Sequence, residues 1–319
     1  MRTLQLEDLK FTARTICKEM MSRGIKVEVI STKPSLVRYE IDGKGHFLHS
    51  TISEYSPALA SEIANNKMLS SRVFEFYGWN HPETKLYEDD ISLNKFIEDN
   101  HKIVVKPLDG AHGNGVSVGI GNMEEAKVAI KKAKTFSDNV LLQRMVSGED
   151  YRLMCVDGKF IAAIKRIPAS VVGDGESTIL ELIESENKNP KRGSNNYEKS
   201  MLKISVDGAS DYIGAENMAN IPQLGEKIRL SGPANIGLGG TAVDVTDIIP
   251  DDMIKVAESV SSELNIVACG VDFMWDGSNE PYLIEINSNP GIGNHDSDDP
   301  AVKSRGVAKA IVDYLVAKA

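Results

Sequence analysis

Two stretches of the chain place residues of chemically useful type at useful spacing. Val104-Val105-Lys106-Pro107 reads as a strand, and a loop with glycines at 110, 113 and 115 follows it. With no side chains in the way, the N–H groups of such a loop can approach phosphate oxygens. Lys106 adds a point charge for the same oxygens. A glycine-rich hairpin beside a surface lysine would leave the same pattern. The stretch is neither a Walker A loop nor a dinucleotide fingerprint, since no Gly-Lys-Ser/Thr opens a helix. In the second stretch, Gly270-Val271-Asp272-Phe273 precedes Tyr282-Leu-Ile-Glu285-Ile-Asn287. Glu285 and Asn287 are two apart on a strand and share a face. A turn through Asp276-Gly277 would set Asp272 beside them. Three oxygen ligands on neighbouring strands suit Mg²⁺, which takes few protein carboxylates and completes its shell with phosphate oxygens and water. An exposed strand face is the alternative, but these acids interrupt an apolar run, where an unpaired charge is costly.

Two weaker signals accompany these. Gln143-Arg144-Met145-Val146 ends a strand and runs into Ser147-Gly148-Glu149-Asp150. Such an edge can offer backbone donors and acceptors to an adenine, and a carboxylate to ribose hydroxyls, though a plain strand end looks the same. Lys67, Lys165 and Arg166 matter only if they converge with Lys106, because lone cations are ordinarily solvated.

Positioning these residues requires an α/β (α+β) scaffold. Leu9, Ala13, Ile16, Cys17 and Met20 keep helical spacing up to Gly24. Strands at 26–30, 36–41 and 46–49 follow, the last two flanking Asp42-Gly43, a hairpin signal. We expect a small module at 1–56. Residues 57–77 read as one helical stretch closing at Gly78. Ile103–Val105 and Val116–Ile120 pair around the glycine-rich loop. Asn122-Met-Glu-Glu125 is a capping box for a helix to about Lys134. Val140–Leu142 is a buried strand, and Asp157-Gly158 joins a second hairpin, 151–156 with 160–164. Residues 185–245 show least regularity, which in a compact domain suggests a functional or mobile loop. A helix at 251–264, strands at 268–274 and 282–286 and a helix at 302–316 close the chain.

The 319 residues suggest about two domains at ~150 residues each. The hydrophobic share of 41% is that of an ordinary globular chain. A net charge of −10 argues against non-specific binding to nucleic acid or anionic membrane. Three cysteines (Cys17, Cys155, Cys269) without a CxxC pair fit a reduced, cytoplasmic setting. The first residues meet charge before any apolar run, so no leader peptide is expected.

The order of motifs resembles the ATP-grasp superfamily, above all the ATP-grasp portions of cyanophycin synthetase and of bifunctional glutathione-forming enzymes. Lys106-Pro-Leu-Asp-Gly110 with His112-Gly113-x-Gly115, Arg166-Ile-Pro-Ala-x-Val-Val-Gly-Asp-Gly175 and Gly239-Gly240-Thr-Ala-Val-Asp244 carry the likeness, over roughly residues 57–319. The resemblance implies an ATP-grasp fold in which two subdomains, about 102–147 and 148–319, clasp ATP. It implies that Lys67 and Lys106 hold nucleotide phosphates under a flap containing Gly110, His112, Gly113 and Gly115. Gln143, Arg144 and Val146 would form the adenine hinge, with Glu149 or Asp150 on the ribose. Asp272, Glu285 and Asn287 would bind two Mg²⁺ ions, with Mn²⁺ as a substitute. Arg152 and Arg166 would face the reacting phosphate together with Lys106. Arg166, Asn235, Gly239, Gly240, Asn289 and Gly291 would line the substrate side.

The chain departs from the pattern in two places. Gln143 stands where glutamate is common, and Leu230-Ser231-Gly232 where the relatives tend to have Leu-Arg, so that either Arg229 or Arg166 supplies that charge or the substrate carries less of it. The activity implied is ATP-dependent joining of a carboxylate to an amine between amino-acid or peptide substrates through an acyl phosphate. The alternatives are a silent nucleotide-binding subunit and a kinase that stops at a phosphorylated product. A homo-oligomer, with a dimer as the prior, and no nucleic-acid or membrane partner complete the expectation.

Overall fold

A computed structural model describes residues 4–109, 113–195, 201–232, 234–296 and 303–319. The chain opens with α1 (Phe11–Ser22) and four antiparallel strands in sequence order, β1 (Lys26–Thr32), β2 (Ser35–Ile41), β3 (Lys44–His49) and β4 (Ile52–Ser53). Asp42 and Gly43, at the turn between β2 and β3, both have positive φ, as a two-residue hairpin turn requires.

The expected helical stretch at 57–77 is two helices, α2 (Ala58–Asn65) and α3 (Lys67–Tyr77). Asn66 breaks it: its backbone is extended, and its Oδ1 accepts from the N–H groups of Met68 and Leu69, capping the second helix. Next come β5 (Thr84–Leu86), α4 (Asp90–Asn100), β6 (Ile103–Pro107), β7 (Ser117–Ile120), α5 (Met123–Ala133) and β8 (Val140–Arg144). The four strands form one sheet in the order β5-β8-β6-β7. The α5 box is only half as expected. Asn122 caps Glu125 N–H, but Glu125 Oε2 accepts from Gly121 rather than from Asn122.

The remaining strands build the sheet that carries most of the chemistry. They are β9 (Glu149–Val156), β10 (Lys159–Ile167) and, after an insertion, three more. The insertion holds β11 (Ser170–Val172), α6 (Ile179–Glu186), β12 (Arg192–Gly193), β13 (Met201–Leu202), α7 (Val206–Ile213) and β14 (Lys227–Arg229). The stretch read as a long loop therefore contains helices and strands around a core of its own, which includes Val171, Ile183, Ile204 and Leu230. Then follow β15 (Thr241–Asp244), α8 (Asp251–Glu263), β16 (Ala268–Trp275), β17 (Tyr282–Asn287) and α9 (Val307–Lys318). The sheet order is β15-β10-β9-β16-β17, antiparallel throughout. The closing helix starts five residues later than expected, at Val307, because Gly306 precedes it with left-handed backbone. Residues 301 and 302 lie outside the described residues.

Strand alternation divides this sheet into two faces. Leu153, Cys155, Cys269, Val271 and Phe273 point into a core with α8. Met154, Val156, Ala162 and Ala268 point the other way, into a core shared with α1, β2, β3 and α9. On that second face, nearer the other end of the same strands, charged side chains replace the apolar ones.

Candidate active site

The charged patch follows directly from strand register. Asp272 of β16 lies opposite Arg152 of β9 on one side and Glu285 of β17 on the other. Asn287 is two residues on from Glu285, and Asp150 and Arg166 are opposite each other across β9 and β10. These six side chains therefore occupy one face. They line a cleft of about 920 Å³ that also takes in Lys106 and Gln143 from the other sheet and Lys67 from α3.

Asp272 is only 3% exposed. Arg152 grips it through two bonds, Nε to Oδ1 and Nη2 to Oδ2, each 2.7 Å, and Arg166 Nη2 adds a third at 2.9 Å. Burial would raise the Asp272 pKa, but Arg152 and Arg166 overcome it and hold the carboxyl below its ordinary range. Asp150 differs. Burial pushes its pKa up to about 6, against the pull of Arg166 and with the help of the Asp272 charge. Arg166 bridges the two acids, donating from Nε to Asp150 at 2.7 Å. Glu149, one residue earlier, faces outward and accepts from Lys165 Nζ at 3.0 Å on each oxygen. Of the two acids expected near a ribose, Glu149 is the accessible one.

Lys106 comes from β6 and is buried. Its Nζ donates to Gln143 Oε1 at 3.0 Å, Gln143 Nε2 donates to Thr84 Oγ1 at 2.9 Å, and Thr84 Oγ1 donates to Pro82 O at 3.0 Å. This buried relay fixes which end of the Gln143 amide faces the lysine. Gln143, expected at an adenine hinge, thus spends its side chain on Lys106. Burial lowers the Lys106 pKa to about 8, with Glu285 raising it and Lys67 lowering it. Lys67 is the first residue of α3, where the helix dipole disfavours a cation. Its Nζ stands 4.0 Å from Glu285 and 3.5 Å from Leu108 O. Arg144, Met145 and Val146 continue along the cleft wall, with the Arg144 guanidinium 5.0 Å from the centre of the Tyr282 ring. Gly113 also lines the cleft, whereas Gly110 and His112 lie outside the described residues.

The donor set fits a hard cation. Asn287 Nδ2 donates to Asp272 Oδ2 at 3.3 Å, which leaves the carbonyl Oδ1 of that amide as a ligand beside two carboxylates. Among the described residues no group of three His, Cys, Asp or Glu is placed to hold a metal, so any cation here would rely on Asn287 and on oxygens from outside the protein.

Not every expected residue reaches the cleft. Of the substrate set, Arg166, Asn235, Asn289 and Gly291 line it but Gly239 and Gly240 do not, and the flap's Gly115 is not among its lining residues either. Gly239 and Gly240 have packing roles: a Cβ on Gly239 would sit 2.6 Å from Ile204 Cα, and one on Gly240 2.7 Å from Ile167 O. Ser231 is buried, and its Oγ accepts from Ala169 N–H at 3.2 Å. The nearby cations on the wall are Lys227 and Arg229, on the outward face of β14, with Arg229 Nε donating to Ser231 O at 2.7 Å. Sequence reasoning missed Lys227 and Thr84. Alternation in Lys227-Ile228-Arg229 was the available signal for the first, and Thr84 gave none. The structure also sets Cys155 opposite Cys269 on adjacent strands, both buried thiols.

Residues 66–178 match the family model described as "Prokaryotic glutathione synthetase, ATP-grasp domain", and residues 251–318 that of the tubulin-tyrosine ligase family. Cyanophycin synthetase of Trichormus variabilis is 31% identical over 316 residues, which is 95% of this chain and 35% of that protein. The glutathione biosynthesis bifunctional protein of Clostridium perfringens is 27% identical over 304 residues, 91% of this chain and 39% of that one. The chain thus spans little more than a third of the length of these relatives. A bifunctional glutathione synthetase from Pasteurella multocida superposes with a TM-score of 0.70 at 21% identity, over 98% of this chain and 44% of that chain. D-alanine–D-alanine ligase from Bacillus anthracis gives 0.52 at 15% identity, over 81% and 69%. Among the described residues no helix is long and apolar enough to cross a membrane. With the cleft between two sheets and these likenesses together, the chain carries an ATP-grasp domain.

Proposed function

We propose that the protein is an ATP-dependent carboxylate–amine ligase acting on amino-acid or peptide substrates. The observation that carries this reading is convergence: Lys67, Lys106, Arg152, Arg166, Asp272 and Glu285 come from two sheets and a helix to one cleft. The lysines hold the nucleotide phosphates, and Glu149 accepts from the ribose. Backbone groups of Arg144 to Val146 receive the adenine. Asp272, Glu285 and Asn287 hold two Mg²⁺ ions, which when bound neutralise phosphate charge as it shifts between oxygens. Residues 102–147 act as the flap-bearing subdomain, 148–319 as the metal and substrate subdomain, and 1–56 as an accessory module. The working form is a dimer in the cytoplasm, where ATP is supplied.

A substrate carboxylate oxygen attacks the γ-phosphorus and ADP leaves. Lys106, Arg152 and Arg166 stabilise charge on the transferring group. The resulting acyl phosphate is attacked by the second substrate's amine, which forms the amide and releases phosphate. The chain positions the reactants and needs no covalent bond to either.

The test is phosphate release from MgATP across single amino acids, short peptides and their pairs, followed by mass spectrometry. Turnover that needs a pair, with a product lighter than the two substrates by one water, is the expected result. Phosphate release with one substrate and a phosphorylated product would replace the ligase with a kinase. Tight ATP binding with no turnover on any pair would favour a nucleotide-binding subunit.

A further inference from the structure

The loop that follows the metal strand is held from outside its own sheet. Ser288, Asn289, Pro290 and Gly291 line the cleft. Pro290 packs against Gly270, whose nearest neighbours would be Pro290 Cβ at 3.2 Å and Arg152 Cδ at 3.3 Å from an added Cβ. The loop therefore lies beside the arginine that grips Asp272. Its outer side is tied to the N-terminal segment. Thr51 donates twice to Asn289 Oδ1, from its backbone N–H at 3.2 Å and from its Oγ1 at 2.9 Å. One turn further, Ile292 N–H donates to Thr12 Oγ1 at 3.3 Å, and the Ile292 side chain is fully buried among residues that include Leu9, Ile16 and Leu48. Thr51 is 1% exposed, so these bonds form away from water.

We propose that Thr51 is a positioning residue that fixes the Asn289 amide with its Nδ2 hydrogens toward the cleft, as donors to a carboxylate or carbonyl oxygen of the substrate. The orientation follows from chemistry. A backbone N–H can only donate, so the atom facing Thr51 must be the amide oxygen. Both of the Thr51 bonds then fall on Oδ1, and Nδ2 is the polar atom that Asn289 has left for a ligand. The first 56 residues thereby become a specificity element of the site, rather than an appendage. The inference rests on the ligase reading for the substrate, but not for the loop.

Two measurements on the full chain separate those dependences. Thr51→Val keeps the shape and the backbone bond but deletes the hydroxyl; Thr51→Ser keeps the hydroxyl. Hydrogen exchange read by mass spectrometry over residues 288–294 should quicken about tenfold in the valine variant, the effect of one lost hydrogen bond, and return to wild-type rates in the serine variant. In phosphate-release assays with L-aspartate or L-glutamate as the acid, Thr51→Val should raise KM about tenfold, with kcat within about twofold of wild type. Calorimetric MgATP affinity should not move. Asn289→Asp, which keeps the acceptor and removes the donors, should raise the same KM at least as far. Unchanged loop exchange in Thr51→Val, or a lowered melting temperature with KM unmoved, would overturn the proposal. If wild type turns over with neither acid, that counts against the substrate class and the ligase reading, and the exchange arm alone decides Thr51.

Discussion

Nucleotide binding should carry the titration of one lysine. Lys106 is 8% exposed and its partner, Gln143, is a neutral amide. Burial lowers its pKa from the ordinary 10.5 to about 8, a penalty on the charged form of about 3 kcal/mol. A phosphate prefers the protonated lysine, so affinity scales with the protonated fraction. That fraction is nearly complete at pH 7, about one half at pH 8 and about one tenth at pH 9. Calorimetric MgATP affinity should therefore be about twofold weaker at pH 8 and about tenfold weaker at pH 9 than at pH 7. Nucleotide phosphates are fully ionised over this range, with a phosphate monoester's second pKa near 6, and do not mimic the effect. Titration in two buffers of different ionisation enthalpy should show uptake of about half a proton per nucleotide at pH 8. Lys106→Met should bind more weakly and show no uptake. Lys106→Arg, charged throughout, should bind with a flat profile. Affinity within twofold between pH 7 and 9, or uptake that persists in Lys106→Met, would refute the reasoning. The free protein should respond in the opposite sense. The unfolded chain keeps this proton up to 10.5, so between about pH 8 and 10.5 this lysine makes stability rise with pH, and Lys106→Met should remove that rise in denaturant melts.

Glu285→Ala should abolish phosphate release while leaving the melting temperature near wild type, because the side chain is 38% exposed and its ion pair with Lys67 is 4.0 Å long; near-normal turnover in the folded variant would sink the metal assignment. Asp272→Asn should cost about 3–5 kcal/mol of stability by leaving Arg152 without its buried partner and Arg166 with Asp150 alone, and a loss under 1 kcal/mol in urea melts would contradict the pairing. Asn66→Ala removes the cap of α3 and should cost about 1 kcal/mol, together with a few-fold loss of MgATP affinity because Lys67 is the first residue of that helix. Full affinity with the expected stability loss would separate Lys67 from its helix end.

Much of the site was legible because strand spacing fixes which side chains share a face. Glu285 and Asn287 fall together by alternation alone, and Asp272 needs only one turn to join them. Asp42-Gly43 and Asp157-Gly158 announce their hairpins because few other pairs accept two positive φ values. The helical stretch 57–77 misled because Asn66 is a tolerable helix residue whose capping role depends on the backbone turning there. α4 passed unnoticed although Asp89 and Ser92 form a capping box, since Leu93, Phe96 and Ile97 make a short apolar stripe. The insertion between β10 and β15 was illegible for a different reason. Its strands are two to three residues long, and they are fixed by tertiary packing on Ile183 and Leu230 rather than by local pattern. Gln143 shows where single-sequence reading stops: its place on the strand was clear, but its bond to Lys106 depends on the register of β8 against β6 and on Thr84 of β5.

The cations of the cleft fall into two sets, and the division assigns their work. Arg152 and Arg166 are committed to carboxylates; their charge is largely cancelled by Asp272 and Asp150 before any ligand arrives. Fork-shaped guanidiniums suit that task, since each can hold a carboxylate through two bonds and keep it ionised in a buried place. The lysines are treated otherwise. Lys106 faces an amide oxygen, and Lys67 a backbone carbonyl and a carboxylate no closer than 4.0 Å. The Lys106 charge is only weakly compensated, at a cost visible in its lowered pKa. An incoming polyphosphate would relieve that cost, whereas it would have to compete with Asp272 and Asp150 for the arginines. Ground-state affinity for the nucleotide should thus reside in the lysines. A cation held by Asp272 in the proposed ligase would compete with Arg152 and Arg166 for that carboxylate, and so would make their charge more available to a transferring phosphoryl group.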